Sequence, residues 1–362
     1  MKRYLSCLLL LTLLLSACGD PRPVDSPTPG TPQPSTPSIM AIGNFQEFPL
    51  PQQNSGLMRP AVDRDGRIWF GEMNRNFLAV FDPHTRQFHQ MTPPDGHNGI
   101  MGVTVAADNT IWFAEQYANY IGHYLPTTNE YQTYPLPTLT VPDPGDVSKT
   151  LTLPSAPNDI ALDTQGNIWF TELNADALGR LDPRNGNIRQ YPIAIQKSTR
   201  KLNPYGIAVD LRGMIWFTQT SNTRIGRLDP ASGHISFFAM HGLDTPLMEI
   251  ASDTHGIIWA TSFANGLLLR LDPQTGAFTP YFAPFTGNSA GGLYGLTITP
   301  PGEVWITITA ENKLARLDVA NNRFLYYPIP TQGSLPLGLV VDAQHAVWFT
   351  EAGSNKLGML QP

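Results

Sequence analysis

Pro204-Tyr205-Gly206-Ile207-Ala208-Val209-Asp210, Ile215-Trp216-Phe217-Thr218, Ile225-Gly226-Arg227-Leu228-Asp229-Pro230 and His234-Ile235-Ser236-Phe237-Phe238 follow one another as four short apolar runs. The pattern recurs along the chain. The seven tryptophans, Trp69, Trp112, Trp169, Trp216, Trp259, Trp305 and Trp348, hold the same place in it, at intervals of 43, 57, 47, 43, 46 and 43 residues. A period of about 40–45 residues with four strand-like runs predicts an all-β, seven-bladed β-propeller, one four-stranded blade per repeat.

Within a blade, strands A to D run outward from a central channel. Strand A is the Gly-Ile-Ala-Val-Asp run, strand B is Ile-Trp-Phe-Thr, strand C is Ile-Gly-Arg-Leu-Asp-Pro, and strand D is an aromatic edge such as Tyr131-Gln132-Thr133-Tyr134-Pro135. The A–B turns carry Asp and Gly pairs (Asp63/Gly66, Asp163/Gly166, Asp210/Gly213, Asp253/Gly256) and the C–D turns carry Asp-Pro followed by Gly. These are hairpin residues. Ile-Trp-Phe is apolar on both faces of its strand, whereas a half-exposed strand alternates. Each blade is therefore expected to be covered on both faces by its neighbours.

The seventh repeat stops after strand C, at Lys356-Leu357-Gly358-Met359-Leu360. Its outer strand is found at the other end: Phe45-Gln46-Glu47-Phe48-Pro49-Leu50-Pro51 matches Tyr131-Gln132-Thr133-Tyr134-Pro135-Leu136-Pro137. This N-terminal strand is expected to complete the last blade and close the ring, which removes an exposed edge. The propeller is assigned to residues 43–362.

Residues 1–17 read as an export signal: Lys2 and Arg3 precede an apolar stretch over residues 5–15, too short to span a bilayer. The junction Leu15-Ser16-Ala17-Cys18 resembles the lipobox of bacterial lipoproteins. It implies a lipidated Cys18, a membrane partner and an address in the cell envelope. Residues 19–42 contain seven prolines and few apolar residues. That composition favours an extended tether, assigned to 18–42. The other cysteine, Cys7, lies inside the signal, so the mature chain has no disulfide. Removing Lys2 and Arg3 takes the net charge from −6 to −8. An acidic domain without a Lys/Arg run argues against nucleic acid as a partner. The chain is expected to be a monomer.

The phrase Pro-x-Gly-Ile, Gly-x-Ile-Trp-Phe-Thr-Glu, Ile-Gly-Arg-Leu-Asp-Pro, repeated seven times, resembles the virginiamycin B (streptogramin B) lyase family over nearly all of residues 43–362. That family opens a cyclic depsipeptide by elimination, with Mg²⁺ and a histidine base. The resemblance implies a catalytic histidine eleven residues before a blade's Trp. It implies metal-binding glutamates three residues after that Trp and two residues before the histidine. A base must remove a proton beside a carbonyl that the metal polarises. Here the position eleven before Trp reads Met58, Met101, Asn158, Tyr205, Met248, Tyr294 and Leu337. In the sixth blade the trio becomes Gly292, Tyr294 and Ile308. The catalytic positions are thus unfilled. Among the histidines, only His97 and His241 fall in D–A connections that could approach the mouth.

The D–A and B–C connections open on one face. The position three after Trp reads Glu72, Glu115, Glu172, Gln219, Ser262, Ile308 and Glu351. The four glutamates belong to consecutive blades, which predicts an acidic crescent on half of the channel mouth, opposite Tyr205 and Tyr294. Asn158, Asp159, Gln219 and Glu249 are added as candidate ligand-binding residues, with Arg59 able to pair with a carboxylate. Such carboxylates would serve a cation, Mg²⁺ or Ca²⁺, with Glu72, Glu115, Glu172 and Glu351 as candidate ligands, or bind a cationic ligand. Alternatively they bond backbone amides between blades. The connection 136–157 is the longest and a candidate recognition loop. The reading is a membrane-anchored lipoprotein that binds a small molecule or protein at its channel mouth. The alternative is a metal-assisted enzyme, a lyase or a lactonase-like hydrolase, using Glu72, Glu115, Glu172 and Asn158.

Overall fold

The computed structural model describes residues 36–94, 99–143, 146–193, 202–221, 223–240, 245–264, 266–283 and 292–362. Seven blades surround a central axis. Their innermost strands A are Leu57–Val62, Ile100–Val105, Pro157–Leu162, Pro204–Val209, Leu247–Ser252, Leu293–Ile298 and Pro336–Val341. Neighbouring A strands pack side by side around the axis. In blade 1, strands Ile68–Glu72, Phe77–Asp82 and Gln87–Met91 follow outward, all antiparallel. The other blades repeat this order.

The Trp-Phe pair of strand B builds the core between blades. Trp69, from blade 1, packs with Ile100, Ile111 and Phe113 of blade 2, and Trp216, from blade 4, packs with Leu247, Ile258 and Ala260 of blade 5. The Phe that follows Trp explains the glycine of Ile-Gly-Arg. A Cβ on Gly226 would lie 2.0 Å from Phe217 Cζ. Strand C must leave that space empty for the ring.

The turn aspartates carry more than a turn. Asp63 Oδ1 accepts the N–H groups of Asp65 and Arg67, each at 2.9 Å, and its Oδ2 accepts the Trp69 indole N–H at 2.9 Å. Asp163, Asp210, Asp253 and Asp342 hold their blade's Trp in the same way. Blades 2 and 6 have Ala106 and Thr299 at this position. In blade 2, Trp112 stacks on His123 at 3.8 Å. In blade 6, the buried Trp305 Nε1 has no hydrogen-bond partner among the described residues.

The ring closes as expected. Asn44–Pro49 forms the outer strand of blade 7, antiparallel to Lys356–Gln361, with Phe45 opposite Leu360 and Phe48 opposite Leu357. Lys356 Nζ lies 3.1 Å from Glu47 Oε2. Residues ahead of the boundary assigned at 43 also join the blades. Ser38–Met40 adds a fifth, parallel strand to blade 6, and Thr36 N–H donates to Phe282 O of blade 5 at 3.0 Å. Backbone pairing to an existing edge needs no apolar pattern, so the proline-rich composition hid it. The 136–157 connection is a hairpin, Thr138–Asp143 paired with Asp146–Pro154. Residues 1–35, including Cys18, lie outside the described residues, as do His97 and His241.

Candidate functional site at the channel

Every strand A carries a β-bulge at its mouth end. Leu57 pairs with Glu72 but Pro60 pairs with Phe70, so Met58 and Arg59 occupy the place of one residue. The same irregularity occurs in the other six blades. A bulge re-aims side chains and tightens the local twist. The bulged pairs are Met58/Arg59, Met101/Gly102, Asn158/Asp159, Tyr205/Gly206, Met248/Glu249, Tyr294/Gly295 and Leu337/Gly338.

The threonine of Ile-Trp-Phe-Thr fixes these bulges. Thr171 Oγ1 accepts the Asp159 N–H at 3.1 Å and donates to Tyr205 O of the next blade at 2.8 Å. Thr261 accepts the Glu249 N–H at 3.2 Å and donates to Tyr294 O at 2.7 Å. Thr307 makes the same bridge from Gly295 to Leu337. One hydroxyl thus satisfies two buried backbone groups and ties adjacent blades at the channel wall.

The first residues of the bulges form the outer layer of the channel, and all but Leu337 are buried. Met58, Met73 and Met101 pack with Leu337. Tyr205, Met248 and Tyr294 pack with Leu173 and Phe263. The Tyr205 and Tyr294 hydroxyls are 2.5 Å apart, with the rings edge to face. Burial raises the pKa of both phenols, and their mutual repulsion pushes Tyr294 further up. Asn158, fully buried, donates to Tyr205 O at 3.0 Å and accepts from Gln116 at 3.3 Å.

The second residues form a charged layer beneath. Arg59, Asp159 and Glu249 alternate here with Gly102, Gly206, Gly295 and Gly338. The glycines admit neighbouring backbone: a Cβ on Gly206 would lie 2.6 Å from Met248 O. Arg59 reaches across the axis. Its Nε donates to Glu249 Oε1 at 2.8 Å and lies 3.6 Å from Asp159 Oδ1, while its guanidinium stands 5.0 Å from the centre of the Tyr205 ring. Asp159 Oδ2 also accepts the Ile207 N–H at 3.0 Å. Burial, opposed by Arg59 and reinforced by Asp159, pushes the Glu249 carboxyl up to about 7. Asn158, Asp159, Tyr205, Glu249 and Tyr294 are therefore brought together, with Arg59 at their centre.

The glutamates do not join them. Glu72, Glu115, Glu172 and Glu351 are each fully buried, so they form no acidic crescent at the mouth. The side chains of Glu72 and Glu172 reach outward across strand C instead. Gln90 of strand D donates to Glu72, and Gln190 donates to Glu172 at 2.5 Å. Ser354 Oγ donates to Glu351 at 2.6 Å, and Glu47 stands beside it in the place of the glutamine. Burial is the main cause that pushes Glu172 and Glu351 up to about 7 and also raises Glu72. Gln219, the blade 4 counterpart, is buried as well. Among the described residues, no three His, Cys, Asp or Glu side chains are grouped to hold a metal ion. The Mg²⁺ that the family resemblance implies does not fit either: Gly292, Tyr294 and Ile308 offer no carboxylate.

Two cavities lie elsewhere among the described residues. One, of about 640 Å³, lies between blades 4 and 5 on the face of the A–B turns, beside Arg212, His234 and His255. The other, of about 430 Å³, is the lower channel, under the charged layer.

No functionally curated protein matches the chain. A sequence model of the virginiamycin B lyase family matches residues 36–193 and 195–362. Virginiamycin B lyase from Staphylococcus aureus superposes with a TM-score of 0.76 at 25% identity, covering 89% of this chain and 100% of the enzyme. A streptogramin B lyase structure gives 0.76 at 26% identity, covering 88% and 97%. A catalytically inactive variant of the S. aureus enzyme with quinupristin gives 0.76 at 25%, covering 89% and 100%. Two family matches that run through the whole ring, with these superpositions, place the chain in the virginiamycin B lyase family.

Proposed function

We propose that this chain is an exported, lipid-anchored propeller that has kept the family's ring without its lyase chemistry, and that it binds a small molecule or a protein. The Tyr205–Tyr294 contact carries this reading. Tyr294 occupies the position that the resemblance gives to the histidine base, yet it is buried and its hydroxyl is bonded to a second phenol. A general base works best near the operating pH. A phenol, about 10 when unperturbed, moves further from that range when burial raises it. Ile308 and Gly292 supply no metal ligand, and Met58, Met101 and Met248 are buried in the layer around the two phenols. Leu15-Ser16-Ala17-Cys18 and the proline-rich segment behind it support the lipid anchor.

The test is incubation of the purified protein with a streptogramin B and Mg²⁺, following ring opening by mass spectrometry. No turnover above the metal-only control is expected. Turnover that disappears in Tyr294→Phe would return the protein to the lyases.

A further inference from the structure

The outer edge of blade 6 carries an apolar run that the ring does not cover. Ser38-Ile39-Met40-Ala41-Ile42 breaks the proline-rich composition of the segment ahead of it. Its strand, Ser38–Met40, pairs with Phe324, Leu325 and Tyr326 as the outermost strand of the sheet. Ala41 packs inward against the core that holds Trp305 and Tyr327. Its neighbours do not: Met40 is 60% exposed and Ile42 96%, and Ile39 is exposed with them. Val319, in the turn that leads into the strand Arg323–Pro328 of the same blade, is exposed as well. Of the six large apolar side chains exposed among the described residues, these are four, so the exposure is gathered rather than scattered. Apolar groups gathered at one place on a surface mark a contact with lipid or protein. The charges of this blade do not oppose such a contact. Three ion pairs account for every charged side chain between residues 292 and 330: Arg316 with Glu303, Lys313 with Glu311 at 2.7 Å, and Arg323 with Asp318 at 3.1 Å.

We infer that this edge rests on a lipid bilayer, with Ile39, Met40, Ile42 and Val319 set into its interfacial layer. The contact rests on the reading of Cys18 as a lipid anchor. The place where the chain enters the ring selects the partner. Thr36 is buried, its N–H donates to Phe282 O at 3.0 Å, and its Oγ1 accepts the Phe282 N–H at 3.1 Å. The segment behind the anchor therefore joins the ring directly beside the apolar run. Residues 19–35 can span at most about 60 Å when fully extended, so an anchored chain holds this edge near the bilayer. A bilayer interface takes up aliphatic side chains without a shaped groove, and an edge whose charges are already paired loses little on approaching it. The outer strands are those farthest from the axis. Contact through them leaves the channel mouth beside the bilayer rather than against it.

The test uses the full chain, purified from membranes and reconstituted in phosphatidylethanolamine–phosphatidylglycerol vesicles. Ile42→Cys carries a nitrobenzoxadiazole fluorophore. Cys7 leaves with the signal and an acylated Cys18 offers no thiol, so the label is unique. Met40→Cys is a second position on the edge, and Leu211→Cys, exposed on the A–B turn of blade 4, is the reference. Doxyl-labelled lipid is expected to quench at positions 40 and 42 at least about twofold more strongly than at 211, and iodide in the buffer to quench there less. The mass of the N-terminal peptide reports the anchor separately. An acylated Cys18 with equal lipid quenching at all three positions overturns the edge contact and leaves the anchor standing. Positions shielded from iodide but untouched by doxyl lipid also overturn it, because a second copy or another protein then covers the edge. An unacylated Cys18 overturns both readings.

Discussion

Tyr205 and Tyr294, from blades 4 and 6, join their hydroxyls at 2.5 Å across the channel, above the guanidinium of Arg59. Each phenol hydroxyl is the other's partner in a layer that is apolar apart from Asn158. Removing one therefore strands the other. Tyr294→Phe is expected to destabilise the fold by about 1–3 kcal/mol, the cost of a buried hydroxyl left without its bond. Tyr205→Phe in the same background is expected to recover part of that loss, since no unpaired phenol then remains. Urea denaturation of both single variants and the double variant gives the coupling. Additive losses would show that the two hydroxyls do not depend on one another.

Trp305 offers a gain rather than a loss. Five blades bond the tryptophan N–H to a turn aspartate, whereas blade 6 has Thr299. Thr299 Oγ1 already accepts the Glu303 N–H at 3.2 Å, so the turn has the shape that an aspartate needs. Pro301 has no N–H to offer, so one of the usual turn bonds is missing. Thr299→Asp is expected to stabilise the protein by about 0.5–1.5 kcal/mol by satisfying the indole. The same change with Trp305→Phe is expected to bring no gain. A thermal melt of the two variants decides it.

The ring was legible because its signals are local and repeated. Ile-Trp-Phe, the glycine of strand C and the turn aspartates each satisfy a packing or bonding need inside one blade. The channel was less legible. Which way Glu72, Glu115, Glu172 and Glu351 point depends on the space over strand C, where Ala79 or Gly179 lets the carboxylate cross to a glutamine on strand D. Spacing along strand B carries no such information. The bulges were also silent, because one extra residue changes no apolar period. One signal was available. The column ten residues before Trp alternates Arg59, Asp159 and Glu249 with four glycines, and charges amid glycines at an inner strand imply that they meet.

Blade 7 depends on a strand from the other end of the chain. Asn44–Pro49 supplies Phe48, which stacks on Trp348 with centroids 5.9 Å apart and packs against Phe81 of blade 1. Deleting 44–49 removes that cover and opens the edge of Lys356–Gln361. A lower melting temperature or concentration-dependent aggregation is expected. Light scattering during a thermal ramp follows both. A deletion variant that stays monomeric and melts with the parent would exclude the strand from the ring.

The buried glutamates make stability depend on pH in a definite direction. Glu172 and Glu351 are held near 7, against an ordinary value of 4.5, chiefly because burial disfavours the carboxylate. Between those values the folded chain keeps protons that the unfolded chain has released. Stability from these groups is therefore present below about 4.5, falls as pH rises towards 7, and is level above. Aspartates with lowered values, such as Asp182, titrate below this window. His123, which burial holds below 6.5, works in the opposite sense within it. A comparison with variants cancels that contribution. Glu172→Gln and Glu351→Gln imitate the protonated carboxyl and retain a side-chain oxygen for Gln190 or Ser354. Each is expected to match wild type near pH 4.5 and to exceed it at pH 8, by on the order of 1–3 kcal/mol. Urea midpoints at four pH values between 4.5 and 8 test the sign. A wild-type advantage at pH 8 would mean that the carboxylates are stabilised as anions in the fold, with a partner stronger than Gln190 or Ser354.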